Sequence, residues 1–328
     1  MRGCPSIPGK VDLVSLIESW KRMRRFARRL EKLEKAPPIP PPVPPGRLVM
    51  VPGRGEVFIR EQDGPPGGPT ILLNHGWTAS ADLNWFAVYG ALRDVGRVIA
   101  IDHRGHGRGL RSEQTYTLEA VADDAAGMLE VLGVQKAIVV GYSMGGPISM
   151  LLWHRHPELV EGLVFEATAL EWRASKRERW VWKGMSFVER FYRSGRASSI
   201  LDRMLREVIF VQPKLDAYRA WFKAELGRGD PKEIADAGRA LGEYDARPFA
   251  ATVDVPTAVV VTTKDRLVRP SKQRALAAAI PGARTFELAG DHDVCWLKGD
   301  AFAASTVQAV QSVREQVGPA GRVAHCAS

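Results

Sequence analysis

The chain has 328 residues, 45% hydrophobic and 25% charged, which is ordinary globular composition and excludes a fibrous or wholly disordered protein. No stretch approaches the roughly 18 uninterrupted apolar residues of a helical membrane span. Three cysteines, Cys4, Cys295 and Cys326, form no disulfide framework and fit a reducing, cytoplasmic setting. The formal charge of +9 is uneven: residues 1–35 hold ten Lys/Arg against four Asp/Glu, which leaves 36 basic and 33 acidic side chains in the remaining 293 residues. A near-neutral body and an arm without a recognised reading motif argue against a nucleic-acid partner.

In the arm, Leu13, Leu16, Ile17, Trp20, Met23, Phe26, Ala27, Leu30 and Leu33 recur at steps of three and four, which predicts an amphipathic helix within residues 1–35. Lys21, Arg22, Arg24, Arg25, Arg28 and Arg29 make its other face basic. That makeup suits peripheral contact with an anionic membrane; the alternatives are a stripe packed on the protein's own cap or paired with a second arm in a dimer. Pro5, Pro8 and Asp12 interrupt the start, and the basic cluster follows the apolar residues instead of preceding them, unlike a secretory signal. Residues 36–46 hold seven prolines in nine positions, which predicts a stiff polyproline linker.

The body from Arg47 alternates. Arg47–Val51 and Glu56–Arg60 read as a hairpin around Pro52-Gly53. Thr70–Leu73, Arg97–Ile101, Lys136–Val140, Leu159–Phe165, Val255–Thr262 and Arg284–Leu288 are short apolar runs, hence buried strands. Helical patterns separate them at 83–94, 118–132, 144–155, 270–279 and 300–315. The alternation predicts an α/β protein: a mostly parallel central sheet flanked by helices, with the hairpin as an antiparallel edge. Residues 171–250 lack a strand and read as a helical insertion over one end of the sheet, with Trp172, Trp180, Trp182 and Trp221. The core is then 47–170 plus 251–317, and 318–328 is expected to be a disordered tail.

Gly141-Tyr142-Ser143-Met144-Gly145 follows an apolar strand and opens a helix. Glycines at both ends permit a sharp strand–helix turn that holds a serine hydroxyl above the sheet. A serine nucleophile needs a base, and His292 lies just past the last strand, in Gly290-Asp291-His292-Asp293. The base needs an orienting carboxylate. Asp265, after the preceding strand, completes the chain order Ser…Asp…His; Glu166 is the rival acid. The oxyanion of acyl transfer needs two amide donors. Met144 follows the nucleophile and supplies one. Trp77, after His75-Gly76 at the end of strand 70–73, supplies the other, its indole left free to line the pocket. His103 and His106 resemble metal ligands, but no third soft ligand is spaced near them, so no metal site is expected.

Together, His75-Gly76-Trp77, the loop Asp102-His103-Arg104-Gly105-His106-Gly107, the elbow Gly141–Gly146, Asp265 and His292 resemble the α/β-hydrolase superfamily over about residues 47–317. The likeness is strongest to its capped, esterase-like branch, and it implies the α/β-hydrolase fold with residues 171–250 as the cap. Arg108-Gly109-Leu110-Arg111-Ser112 departs from that branch by delaying its usual serine. The resemblance implies a serine esterase acting on small or medium, apolar ester substrates without metal or organic cofactor. Trp77, Tyr142 and Trp172 are the expected substrate contacts. A lactonase, C–C bond hydrolase or acyltransferase shares the same triad, and a non-hydrolytic small-molecule binder shares the same fold.

Overall fold

A computed structural model of the chain describes residues 37–173 and 217–318. The amphipathic helix expected within 1–35, residues 174–216 of the expected cap and the tail beyond Gly318 lie outside the described residues.

Eight strands form one sheet. β1 (Gly46–Val51) and β2 (Gly55–Gln62) make the edge hairpin. β3 (Thr70–Asn74), β4 (Arg97–Ile101), β5 (Ala137–Tyr142), β6 (Val160–Glu166), β7 (Thr257–Thr262) and β8 (Arg284–Leu288) follow in spatial order β1-β2-β4-β3-β5-β6-β7-β8. All pairings are parallel except those of β2 with β1 and β4. The proline segment ahead of β1 packs on this edge. Pro41 and Pro44 are buried, the Pro44 carbonyl accepts from Arg60, and the Pro45 carbonyl accepts from the Glu61 amide.

Alternation along the strands divides the apolar residues between two cores, as a sheet covered on both faces requires. Leu72, Ile99, Val139 and Leu163 face α3 (Leu118–Val131), α4 (Gly145–Arg155) and α7 (Pro270–Ala279). Ile71, Leu73, Ile138, Val140 and Val260 face α1 (Ala81–Trp85), α2 (Tyr89–Leu92), α8 (Val294–Leu297) and α9 (Gly299–Val317). The single helix expected over 83–94 is two. Trp85, Val88, Tyr89 and Leu92 keep helical spacing and are buried, but the Val88 amide bonds to Trp85 three residues back and the helix restarts there.

Within the described part of the insertion, α5 (Arg219–Leu226) and α6 (Pro231–Glu243) lie over the carboxyl ends of β3 and β4. Asp230 caps α6 by accepting from the Lys232 and Glu233 amides, with Pro231 at the first helical position. The loop after β4, where the sequence departs from the esterase pattern, is where these helices attach. Arg108 bonds to the buried Glu225 carboxylate at 2.5 and 3.0 Å, Arg111 donates to the Arg228 carbonyl, and the Ser112 amide donates to Glu233.

The register sets the level of the site. Asn74 pairs with Gly141, Tyr142 with Glu166, and Thr262 with Leu288, so the loops after β3, β5, β6, β7 and β8 leave the sheet side by side.

Candidate active site

Ser143 occupies the turn between β5 and α4 with φ of +52°, a left-handed conformation that a non-glycine residue adopts only under constraint. Its amide donates to the Glu166 carbonyl at 2.9 Å, and its carbonyl accepts from the Thr168 hydroxyl at 2.7 Å and the Gly146 amide at 3.0 Å. The flanking glycines allow the close packing this turn needs. A Cβ on Gly145 would stand 2.0 Å from the Asn74 carbonyl oxygen, and one on Gly141 would stand 2.3 Å from that of Gly145. The serine thereby sits at the amino end of α4, against amides with no intrahelical acceptor.

Three side chains from three loops form one hydrogen-bonded chain. The Ser143 hydroxyl donates to His292 Nε2 at 2.9 Å, and His292 Nδ1–H donates to Asp265 Oδ2 at 2.8 Å. Asp265 is buried and accepts four further bonds. The Leu267 and Val268 amides reach Oδ1 at 2.9 and 2.8 Å; the Thr262 hydroxyl and Gln273 Nε2 reach Oδ2 at 2.8 and 3.2 Å. The acid and base loops are zipped together by backbone bonds from Thr263 to Leu288 and from Lys264 to Gly290. Asp291 does not face the imidazole. It accepts from the His292 and Arg266 amides and the Arg266 guanidinium; burial raises its pKa, but those donors outweigh it and hold the carboxyl below its ordinary value.

The loop after β3 lies against the elbow: a Cβ on Gly76 would stand 3.2 Å from Ser143 Cβ. The Gly76 carbonyl accepts from His75 Nδ1–H at 2.7 Å and from the Ala79 amide at 3.3 Å. His75 Nε2 in turn accepts from the His103 amide at 3.0 Å, which fixes the tautomer. Thr78, with φ of +64°, is a second strained residue beside the same space.

The family model of the alpha/beta hydrolase fold matches residues 69–298. The chain belongs to the α/β-hydrolase family. RutD of Caulobacter sp. (strain K31), named as a carbamate hydrolase, is 27% identical over 265 residues, 74% of this chain and 92% of that one. The bifunctional esterase/perhydrolase DCH of Acinetobacter calcoaceticus is 43% identical over a shorter match of 92 residues, 28% of this chain and 33% of that protein. Among solved structures, the enol-lactonase of Burkholderia xenovorans LB400 superposes with a TM-score of 0.69 at 26% identity, covering 81% of this chain and all of that one.

In this α/β-hydrolase, Ser143, His292 and Asp265 come together, with Met144 at the helix start and Trp77 on the adjacent loop. Two expected substrate contacts are buried side chains. Tyr142 shares its strand face with Ile138 and Val140, so it is buried beneath the site against Trp85 and Phe302, and its hydroxyl donates to the His292 carbonyl. Trp172 is buried in the same core cluster as Met144, Leu170 and Leu241. The Trp77 indole, expected to be free, donates Nε1–H to the Ile234 carbonyl at 2.7 Å and lies against Gly238 of α6.

Glu166 does not meet the imidazole. It is buried, accepts from the Thr306 hydroxyl at 2.9 Å, and burial pushes its carboxyl up to about 8. His75, His103 and His106 pack as buried rings with centroids 4.2 and 5.4 Å apart, and burial lowers His103 to about 3 and His106 to about 4. They are neutral packing groups near pH 7. Among the described residues, no group of three or more His, Cys, Asp or Glu side chains is arranged to hold a metal.

Sequence reasoning missed Gln273 and Asn84. Gln273 is fully buried on α7; its Oε1 accepts from the Thr262 amide, and its Nε2 reaches Thr262 Oγ1, the Val268 carbonyl and Asp265. A lone glutamine eight residues after an aspartate carries no recognisable pattern. Asn84 lies in a helix signalled only by its apolar neighbours.

Proposed function

We propose that this α/β-hydrolase is a serine hydrolase that cleaves carboxylic esters of small or medium, apolar substrates through an acyl-enzyme. The observation that carries the reading is the Asp265–His292–Ser143 chain, at 2.8 and 2.9 Å, ending on a strained serine at a helix amino terminus.

His292 Nε2 takes the Ser143 proton as the hydroxyl oxygen attacks the ester carbonyl carbon. Asp265 keeps the other proton on Nδ1 and stabilises the imidazolium. The Trp77 and Met144 amides receive the negative charge on the carbonyl oxygen. The tetrahedral adduct collapses, the alkoxide leaves with the proton from His292, and Ser143 carries the acyl group. Water, losing a proton to His292, repeats the sequence and releases the acid. Apart from the water, each step uses side chains and backbone amides of this chain, without a metal or organic cofactor.

The apolar preference is supported by the aromatic cluster beside the site. Phe86, Trp221, Phe222 and Trp296 meet edge-to-face at 5.0–6.0 Å. Trp296 is four residues from His292, and the cluster also holds Ala79 of the Trp77 loop. Lactones are cyclic esters, so the likeness to an enol-lactonase lies within the same chemistry.

The test is steady-state and stopped-flow hydrolysis of p-nitrophenyl esters from acetate to palmitate. A serine esterase gives saturable turnover with a burst of nitrophenolate equal to the enzyme, and an optimum at short or medium chains. No turnover on any ester, with saturable binding of apolar acids alone, identifies a binding protein on this fold. Turnover confined to C–C or acyl-transfer substrates assigns the triad to those reactions.

A further inference from the structure

A glycine next to an oxyanion donor brings a difficulty with it. Gly76 lets the backbone approach Ser143, but glycine has the freest backbone of any residue, and its rotation would swing the next amide. That next amide is Trp77. Because the peptide unit is planar and trans, the Trp77 N–H points opposite to the Gly76 carbonyl, so whatever holds Gly76 on both sides aims Trp77.

The carbonyl side is held by His75 Nδ1–H and the Ala79 amide. The amide side is held by one side chain: the Gly76 N–H donates to Asn84 Oδ1 at 2.7 Å. Asn84 is buried on α1. Its carboxamide is anchored at the far end, where Nδ2 donates to Cys295 Sγ at 3.4 Å. A backbone N–H can only donate, so this orientation of the amide group is the one that satisfies both ends. Burial pushes the Cys295 thiol up to about 12, so the anchor is a neutral sulfur. Cys295 lies on α8, three residues beyond His292, and Tyr142 holds the His292 carbonyl from below.

We propose that Asn84 is a positioning residue for oxyanion stabilisation: accepting the Gly76 N–H from a carboxamide anchored on Cys295, it aims the Trp77 amide at the developing oxyanion and ties that loop to the loop carrying His292. The inference rests on the serine-hydrolase reading. Asn84 touches neither substrate nor reacting atoms, so its effect appears in the transition state and not in ester binding.

The experiment measures kcat and KM for p-nitrophenyl butyrate, inhibition by butylboronic acid, and melting temperature. It uses the full chain as wild type, Asn84→Ala, Asn84→Asp and Cys295→Ala. Deleting an oxyanion donor costs about 10²–10³ in kcat; misaiming one costs less. Asn84→Ala is expected to lower kcat about 10- to 100-fold with KM within about threefold, and to weaken the boronate, whose tetrahedral adduct needs the same donor, by a similar factor. Asn84→Asp keeps an acceptor for Gly76 and restores most of kcat. Cys295→Ala loosens only the anchor and lowers kcat severalfold at unchanged KM, so it carries the test if Asn84→Ala does not fold. A lower melting temperature with kcat and boronate affinity unchanged overturns the inference, as does loss in KM alone. Absence of ester turnover in the wild type overturns the serine-hydrolase reading itself, a separate outcome.

Discussion

Asp265→Asn changes one atom, and the surrounding donors dictate the consequence. Oδ1 accepts from two backbone amides and Oδ2 from Thr262, Gln273 and His292 Nδ1. Asparagine must place its NH2 on one side. Facing the Leu267 and Val268 amides, it would leave buried donors opposed, each costing about 1–3 kcal/mol. It therefore takes the Oδ2 position and donates to His292 Nδ1. The imidazole then carries its proton on Nε2, facing Ser143, and can no longer accept the hydroxyl proton. Tautomer inversion of this kind lowers kcat by about 10⁴ in serine triads, or about 5.4 kcal/mol of transition-state stabilisation. KM should change by less than about threefold, since no group facing the ester is altered. Hydrolysis of p-nitrophenyl butyrate at pH 7.5 with matched circular dichroism is the assay. A folded variant retaining more than a tenth of wild-type kcat would refute the assignment of Asp265.

Glu166→Gln should leave kcat within about threefold but alter the pH dependence of stability. The folded carboxyl titrates near 8, against an ordinary 4.5, so the native state holds a proton the unfolded state releases. Its stabilisation is complete below 4.5 and is lost as pH rises to 8, at up to about 1.4 kcal/mol per pH unit. Urea unfolding should show a shallower decline across that window in the variant, and an unchanged slope contradicts the placement. Arg108→Ala should destabilise the protein by about 1–3 kcal/mol. It removes a principal partner of the fully buried Glu225 carboxylate while the Arg228 bond at 2.8 Å remains. A change under about 0.5 kcal/mol in the same titration would mean that this pair does not secure α5 to the core.

The strands and the Ser143–His292–Asp265 order were legible because buried parallel strands read as apolar runs and the loops that meet over the site follow them directly. The helix break at Phe86–Val88 was not, since two short helices and one long one bury the same Trp85, Val88, Tyr89 and Leu92 spacing. Tyr142 carried a usable signal: period-two alternation with Ile138 and Val140 puts it in the core, and adjacency to the nucleophile outweighed that in the sequence reading. Asn84 and Gln273 carried none, because each acts through partners 5 to 11 residues away or across the fold. The irregular Arg108–Ser112 stretch was visible as a departure, but its meaning depended on Glu225, Arg228 and Glu233, which only the folded chain brings to it.

Whether Ser143 is the nucleophile of an acyl-transfer site can be read from fluorophosphonate labelling followed by peptide mass spectrometry. One adduct per chain is expected, on the Ser143 peptide, with neither adduct nor ester turnover in a folded Ser143→Ala variant. An adduct on another residue, or Ser143→Ala with wild-type turnover, would contradict it.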